Sequence, residues 1–268
     1  MLMKKLNRLA FSLIELSIVL VIIGLLIGGA IAGKVLLRQS AVNNIMIDGQ
    51  KYIGAVQAFQ QKYNALPGDM AKATDYWGAA GGSAPYTTSC YASGLASNPA
   101  TCNGDGNGHI GDDLSTYSNE MLRAWQHLAD AGFIKGAYAG ISGYTHTVGT
   151  NCPGSSVKAG GFGLRYIGSI LNTNDYMFPG TYGHVLFFSG LQLLDLGATT
   201  TGQYDYTLSG DEAHALDAKF DDGLPISGTI RTWKKYGSSV LCATAADSTA
   251  TYTTATGLTC SLLIITGF

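Results

Sequence analysis

The chain has 268 residues, of which 46% are hydrophobic and 13% are charged, and its formal net charge is −2. This hydrophobic content excludes a disordered chain, and the length suits a membrane element with one sizeable domain or two small ones, one domain being the simpler expectation. Lys and Arg are mostly scattered, which argues against a nucleic-acid-binding surface.

The first predicted element is an apolar helix over residues 11–33, in which Glu15 is the only ionisable side chain. At about 1.5 Å per residue it is long enough to cross a hydrocarbon core of roughly 30 Å. Basic residues near the N-terminus favour, by the positive-inside bias, a cytoplasmic N-terminus with the bulk of the chain on the other side. A secretory signal peptide is the competing interpretation, but the apolar run exceeds a usual signal core and no clear cleavage site ends it.

The acid within this run needs an explanation, because a carboxylate in a membrane segment is costly and normally has a partner. The sequence has no Lys or Arg between Phe11 and Gly33. The partner of Glu15 must therefore come from another chain or from a new amino terminus. A tolerated acid at the membrane interface is the plainer alternative.

The stretch "KKLNRLA" followed by "FSLIELSIVLVIIGLL" resembles the N-terminus of type IV pilins and type II secretion pseudopilins. The resemblance implies that residues 1–10 are a leader, which a prepilin peptidase cuts between Ala10 and Phe11 before methylating the amine of Phe11. It also implies that Glu15 neutralises that amine on a neighbouring subunit. Two residues depart from the family pattern: Ala10 stands where Gly is nearly invariant, and Ala32 where Pro is frequent.

The resemblance also implies partners and a location. The partners are other pilin or pseudopilin subunits, the prepilin peptidase, the membrane and an inner-membrane assembly platform. A single pass would anchor the protein in the inner membrane, with a cytoplasmic N-terminus and a periplasmic domain, before it enters a periplasmic or extracellular filament. Pilus, secretion pseudopilus and DNA-uptake filament stay open, although the large domain favours a minor subunit. The alternative is an uncleaved, membrane-anchored binding protein or enzyme.

Residues 34–66 should continue the helix as an amphipathic segment, because apolar residues recur there at spacings of three and four. Pro67 ends the segment, since proline cannot extend a helix and restricts the preceding residue. The prediction is one long helix whose second half packs onto a globular domain formed by residues 67–268. The stripe that packs consists of Val42, Ile45, Gly49, Tyr52, Val56, Phe59 and Tyr63.

Further helices are expected near Asp69–Trp77, from a cap at Ser118 or Asn119 to Gly132, and over Asp211–Phe220. Met121, Trp125 and Leu128 form an apolar stripe on the second of these. The fold class is therefore α+β, with an antiparallel sheet packed on the long helix. The candidate strands are Gly163–Leu171, His184–Phe188, Gly228–Trp233, Val240–Thr244 and Leu258–Ile265.

The segment "CNGDGNGHIGDD" resembles the first half of an EF-hand-like calcium loop, with side-chain oxygens at Asn103, Asp105 and Asn107 alternating with glycines. The twelfth position is Leu114 rather than an acid. A turn whose side chains bond their own backbone fits equally well. No cofactor is required, and structural calcium is the one candidate. The acids that could close the loop are Asp112, Asp113, Glu120 and the distant Asp221 and Asp222.

All five cysteines follow the apolar run, so an exported domain could form two disulfides. The placement of Cys242 and Cys260 resembles the C-terminal disulfide loop of many pilins. Cys90 with Cys102 is the second expected pair, and Cys152 would be free or would pair between chains.

Enzymatic function is not expected. The sequence lacks G-x-S-x-G, H-E-x-x-H and P-loop motifs, and its five histidines are dispersed. The paired acids Asp112-Asp113 and Asp221-Asp222 could suit a glycosidase, but both lie in Gly-rich turns.

Overall fold

The computed structural model divides the chain into two compact units, Met1–Ala41 and Val42–Phe268. The residues it describes are 12–79, 100–111, 120–140, 147–157, 160–170, 177–190, 206–233, 235–236, 239–240, 242–245, 247–254 and 257–268.

Four helices and six strands occupy the described residues. The helices are α1 (Leu13–Tyr63), α2 (Ala73–Trp77), α3 (Glu120–Asp130) and α4 (Gly210–Phe220). The strands are β1 (Gly160–Ile170), β2 (Gly180–Gly190), β3 (Ile230–Thr232), β4 (Lys235–Tyr236), β5 (Ser239–Val240) and β6 (Leu262–Ile265).

The N-terminal unit contains the apolar half of α1. Its large hydrophobic side chains are exposed along the whole segment; Leu13, for example, is 89% exposed and Leu37 is 73% exposed. Among the helices described, α1 is the one long and apolar enough to cross a membrane, with a mean hydropathy of 2.6 in an 18-residue window of which none is buried. The apolar half of α1 is therefore an exposed segment of the length and composition that a bilayer can cover.

In the second unit, α1 buries one stripe of side chains, as the spacing predicts. Tyr63 is only half-buried, whereas Met46 and Ala55 join the buried set. Asn64, at φ 52°, ends the helix three residues before Pro67, and its amide donates to the carbonyl oxygen of Gln60 at 2.8 Å. The buried residues are Val42, Ile45, Met46, Gly49, Tyr52, Ala55, Val56 and Phe59.

The main sheet is antiparallel, with strand order β1-β2-β6-β3. Gly49 brings α1 close to this sheet: a Cβ there would lie 3.3 Å from Cδ1 of Ile264 and 3.5 Å from Cδ2 of Leu186. These two residues are register partners on β6 and β2. The α+β class with an antiparallel sheet is confirmed.

The aromatic core joins α1, α3 and the sheet. The ring of Tyr52 packs edge-on against Trp125 at 5.2 Å and against Phe162 at 5.1 Å between centroids. Met121, Trp125 and Leu128 are all buried, as predicted for core residues, but they do not form a distinct stripe because every residue from Glu120 to Leu128 is buried.

All five predicted strands have different bounds in the structure, and two need the largest corrections. The predicted strand Val240–Thr244 does not exist as one element, because Ser239–Val240 pairs with Lys235–Tyr236 in a separate hairpin and Ala243 forms an isolated bridge to Tyr252. The predicted strand Leu258–Ile265 is shorter in the structure, where β6 begins only at Leu262.

The first strand, β1, begins three residues earlier than predicted, at Gly160. Glycines usually weaken a strand, so the pattern gave no reason to include this one. Here a Cβ at Gly160 would collide with the ring of Phe188, so the absence of a side chain makes room for that buried ring.

Candidate functional site

Three carboxylates from separate parts of the sequence meet in one place, which we call the acidic group: Asp69, Asp105 and Glu120. One carboxylate oxygen from each lies within 4.8 Å of the others. Asp69 follows α1, Asp105 lies in the Gly/Asn loop, and Glu120 is the first residue of α3. Asp69 and Glu120 are buried, at 3% and 2% exposure, whereas Asp105 is exposed.

Glycines allow these segments to approach. Gly104 packs so closely on the backbone of Gly68 and Asp69 that a Cβ would overlap it. Gly68 has φ +87°, and a Cβ there would overlap the backbone of Glu120. The amide of Gly104 donates to the carbonyl oxygen of Met70 at 3.0 Å, which fastens the two loops together. Larger residues at Gly68 or Gly104 would therefore separate the carboxylates.

Asp69 orders the loop by accepting hydrogen bonds from two of its backbone amides. Its Oδ1 accepts from the amide of Asn107 and its Oδ2 from the amide of Gly108, both at 2.9 Å. Burial nevertheless raises the pKa of Asp69 to about 6, with a further contribution from the side chain of Asp105.

Glu120 holds the other side of the loop. Its carboxylate accepts from the amides of Asp105 at 3.0 Å and Gly111 at 2.8 Å. Burial, together with the nearby charges of Asp105 and Asp69, raises the pKa of Glu120 to about 8. The acidic group therefore favours a proton or a cation, because three buried or crowded carboxylates repel one another.

A buried polar network anchors the same loops. The amide of Gly68 donates to Nδ1 of His127 at 2.9 Å, so Nε2 carries the proton and faces Oγ1 of Thr101 at 3.0 Å. Thr101 in turn donates to Oε1 of Gln126 at 2.8 Å. Burial, together with the charge of Arg123, lowers the pKa of His127 to about 3, so this histidine is a neutral structural link between the loops.

The predicted calcium ligands have different surroundings. Asp105 belongs to the acidic group, whereas Oδ1 of Asn103 accepts from the amide of Thr74 in α2 at 2.8 Å. Oδ1 of Asn107 accepts from the amide of His109 at 2.7 Å, as in the alternative turn. Asp112 lies outside the described residues.

Glu120 stood among the candidate acids for closing the loop, but sequence reasoning missed Asp69. The signal was present in "LPGD", where an acid follows the turn that ends a long helix. Its approach to Asp105 is a long-range contact, which local spacing does not reveal.

Asp221 and Asp222 belong to a second cluster with Asp217. Their hydrogen bonds account for these acids as turn-closing residues, and neither lies in the acidic group. Asp221 accepts from the amides of Thr229 and Ile230, Asp222 from the amide of Leu224 and the hydroxyl of Ser227, and Asp217 from the amide of Gly223 and the hydroxyl of Tyr252.

At the N-terminal end, Glu15 lies exposed in the first turn of α1. Its Oε2 accepts from the amide of Ser12 at 2.8 Å. A carboxylate here also suits the positive end of the helix dipole. Ala10 and Phe11 lie outside the described residues.

The structure contains the predicted disulfide between Cys242 and Cys260, with Cα atoms 4.8 Å apart. Cys102 is also disulfide-bonded, and its predicted partner, Cys90, lies outside the described residues. Cys152 is a free, buried thiol, and burial raises its pKa to about 12. It is therefore unreactive in the folded protein.

The acidic group should give the metal-free protein an unusual pH dependence. Between pH 4.5, the ordinary value for Glu, and about 8, folded Glu120 keeps a proton that the unfolded chain releases, so stability falls as pH rises. The lowered pKa of His127 reduces the stability of the protein only below pH 6.5. The raised pKa of Asp69 affects stability only up to about pH 6.

We therefore expect the free energy of unfolding to fall by roughly 2 kcal/mol between pH 6.5 and 8. Urea unfolding with chelator, for a fragment beginning at Val35, measures it. The stability of Glu120→Gln should be independent of pH in this window, because its neutral side chain has no proton to lose. An equal slope in the variant would contradict the assignment.

Comparison with known proteins does not place the chain in a family. No protein-family model matches it, and no significant similarity was found to curated proteins or to solved structures.

Proposed function

We propose that the protein is a structural subunit, of minor type, in a filament of the type IV pilus or type II secretion pseudopilus kind, polymerised through its N-terminal helix. The observation that carries the proposal is the exposed apolar half of α1, whose first turn contains an acid, Glu15. The leader-like residues 1–10 before it supply the processing signal.

A membrane first, and neighbouring subunits afterwards, would cover the same exposed side chains. Glu15 is then the polar contact that a neighbour must satisfy. Its present acceptor role toward Ser12 leaves carboxylate lone pairs for a cationic amine, since each carboxylate oxygen accepts more than one hydrogen bond. In this proposal the amine is that of Phe11 on the neighbouring subunit, after cleavage at Ala10 and methylation.

The location follows from the same proposal. The helix enters the inner membrane with its N-terminus in the cytoplasm, and the unit that begins at Val42 lies in the periplasm. The disulfide between Cys242 and Cys260 suits an oxidising compartment. The prepilin peptidase and an inner-membrane assembly platform are the proposed partners.

Calcium is the proposed stabiliser of the loop around Asp105. The donor set is all oxygen, which suits a hard cation, and two of its three carboxylates are buried. Asp69 and Glu120 are the proposed further ligands, in place of Asn103, whose side chain caps α2.

Processing of the leader tests the proposal directly. Coexpression with a prepilin peptidase should yield a mature chain that starts at N-methylated Phe11, and Ala10→Gly should be cut at least as fast. Intact-mass and N-terminal peptide analysis measure both. A chain that keeps Met1 in the presence of an active peptidase would favour the alternative, an uncleaved membrane-anchored binding protein or enzyme.

A further inference from the structure

The loop of the acidic group contains two Asn-Gly steps, Asn103-Gly104 and Asn107-Gly108. In such a step the glycine amide nitrogen can attack the side-chain carbonyl carbon of the asparagine. The product is a cyclic imide, which water opens to aspartate or isoaspartate. Glycine favours this attack because no side chain shields its amide.

Two contacts at Asn107 suit this reaction. Its Oδ1 accepts from the amide of His109 at 2.7 Å, and the ring closed by that hydrogen bond includes the amide of Gly108. A donor on Oδ1 draws electron density from the side-chain carbonyl carbon and stabilises the negative charge that attack would place on the oxygen. Asn107 and Gly108 are exposed, so water reaches the imide.

A base already contacts the nucleophile. The amide of Gly108 donates to Oδ2 of Asp69 at 2.9 Å, within the distance for general-base catalysis. Asp69 is buried and held by a second amide, that of Asn107, so its carboxylate is fixed in place.

The other step shares the donor on the asparagine Oδ1 but lacks the base and the exposure, so it provides an internal control. The amide of Gly104 donates to the carbonyl oxygen of Met70 at 3.0 Å, which is not a base. Oδ1 of Asn103 is held by the amide of Thr74, away from its own loop, and Gly104 is buried.

We propose that Asn107 is a site of spontaneous deamidation in the folded protein and that Asp69 promotes it. The nitrogen of Gly108 forms a bond to the side-chain carbonyl carbon of Asn107, and its proton passes to Asp69. That proton then protonates the departing amino group, which leaves as ammonia when the carbon–nitrogen bond breaks. Water adds to one of the two imide carbonyls and breaks its bond to the imide nitrogen, which leaves aspartate or isoaspartate, and no oxidation or reduction takes place.

The product changes the acidic group. At present Nδ2 of Asn107 donates to Oδ2 of Asp105 at 2.7 Å. After deamidation an acceptor-only carboxylate replaces that donor, so two like charges face each other. The acidic group then has a fourth carboxylate beside it, so the negative charge of the loop increases with the time since the chain was made.

Peptide mapping of the purified full-length chain, incubated at neutral pH with chelator, tests the proposal. We expect Asn107 to be converted while Asn103 stays intact. In the free peptide "NGDGNGHIG", residues 103–111, both should be converted at similar rates. The variant Asp69→Asn should slow conversion of Asn107 by about a hundredfold, the lower end of general-base effects. Asp222→Asn, in the second acidic cluster, should leave the rate unchanged.

Three results would overturn the proposal: an intact Asn107 after the peptide has reacted, equal conversion of both asparagines in the folded chain, or an unchanged rate in folded Asp69→Asn. If Asp69→Asn does not fold, the contrast between the folded chain and the free peptide decides.

Discussion

Glu15→Ala should insert into the membrane normally yet fail to enter filaments, with incorporation reduced more than about tenfold, because a buried amine would lose its counter-charge. The helix itself should survive, since the variant loses only the acceptor for the amide of Ser12, which is exposed. Quantifying the protein in membrane and sheared-filament fractions measures the effect.

Two further variants separate charge from helix capping. Glu15→Gln keeps an acceptor for Ser12 but has no charge, so it should fail as Glu15→Ala does. Ser17→Ala removes a neighbouring hydroxyl that bonds only the carbonyl oxygen of Ile14, and should assemble normally. Wild-type filament levels from either Glu15 variant would remove the charge-pairing role.

Calcium should raise the stability of the fragment that begins at Val35 by about 2.7 kcal/mol at a hundredfold excess over its dissociation constant. The cation would neutralise the mutual repulsion of Asp69, Asp105 and Glu120, which burial makes costly. Magnesium should stabilise less, because it requires a tighter octahedral site. Melting curves with chelator and then with calcium give the shift.

Matched variants locate the ion. Asp105→Ala should abolish the calcium shift, whereas Asp222→Ala, an exposed acid of the second cluster, should keep it. A fragment whose melting temperature does not respond to calcium would leave the loop as a plain turn. A full shift in Asp105→Ala would move the ion away from the acidic group.

The parts of the fold that the sequence predicted are those set by local periodicity. The stripe on α1 was found because burial there repeats with the helical period, and the trio on α3 because its apolar residues share that spacing, although all of α3 from Glu120 to Leu128 is buried. Strand ends were less well predicted: Gly160 belongs to β1 through its pairing with Gly190, and its lack of a side chain leaves room for Phe188. That pairing is a long-range contact.

The same distinction applies to the candidate site. Asp105 stood out because its neighbours form a recognisable pattern, whereas Asp69 is 36 positions earlier in the numbering. Asp69 reaches the loop through long-range contacts, namely the packing of Gly104 and the amides of Asn107 and Gly108. Asn103 matched the pattern, but its side chain accepts a hydrogen bond from the amide of Thr74 in α2. Local spacing could not reveal that contact.

The burial of Cys152 has a consequence for how the disulfides form. Five cysteines can form two bonds in many arrangements, and an accessible fifth thiolate would keep exchanging them. Once the segment around Cys152 has folded, its thiol is fully buried and stays protonated, so it can neither attack nor be captured. If that segment folds early, its burial removes one thiol from disulfide exchange. Oxidation is then restricted to the few connectivities that the other four cysteines allow.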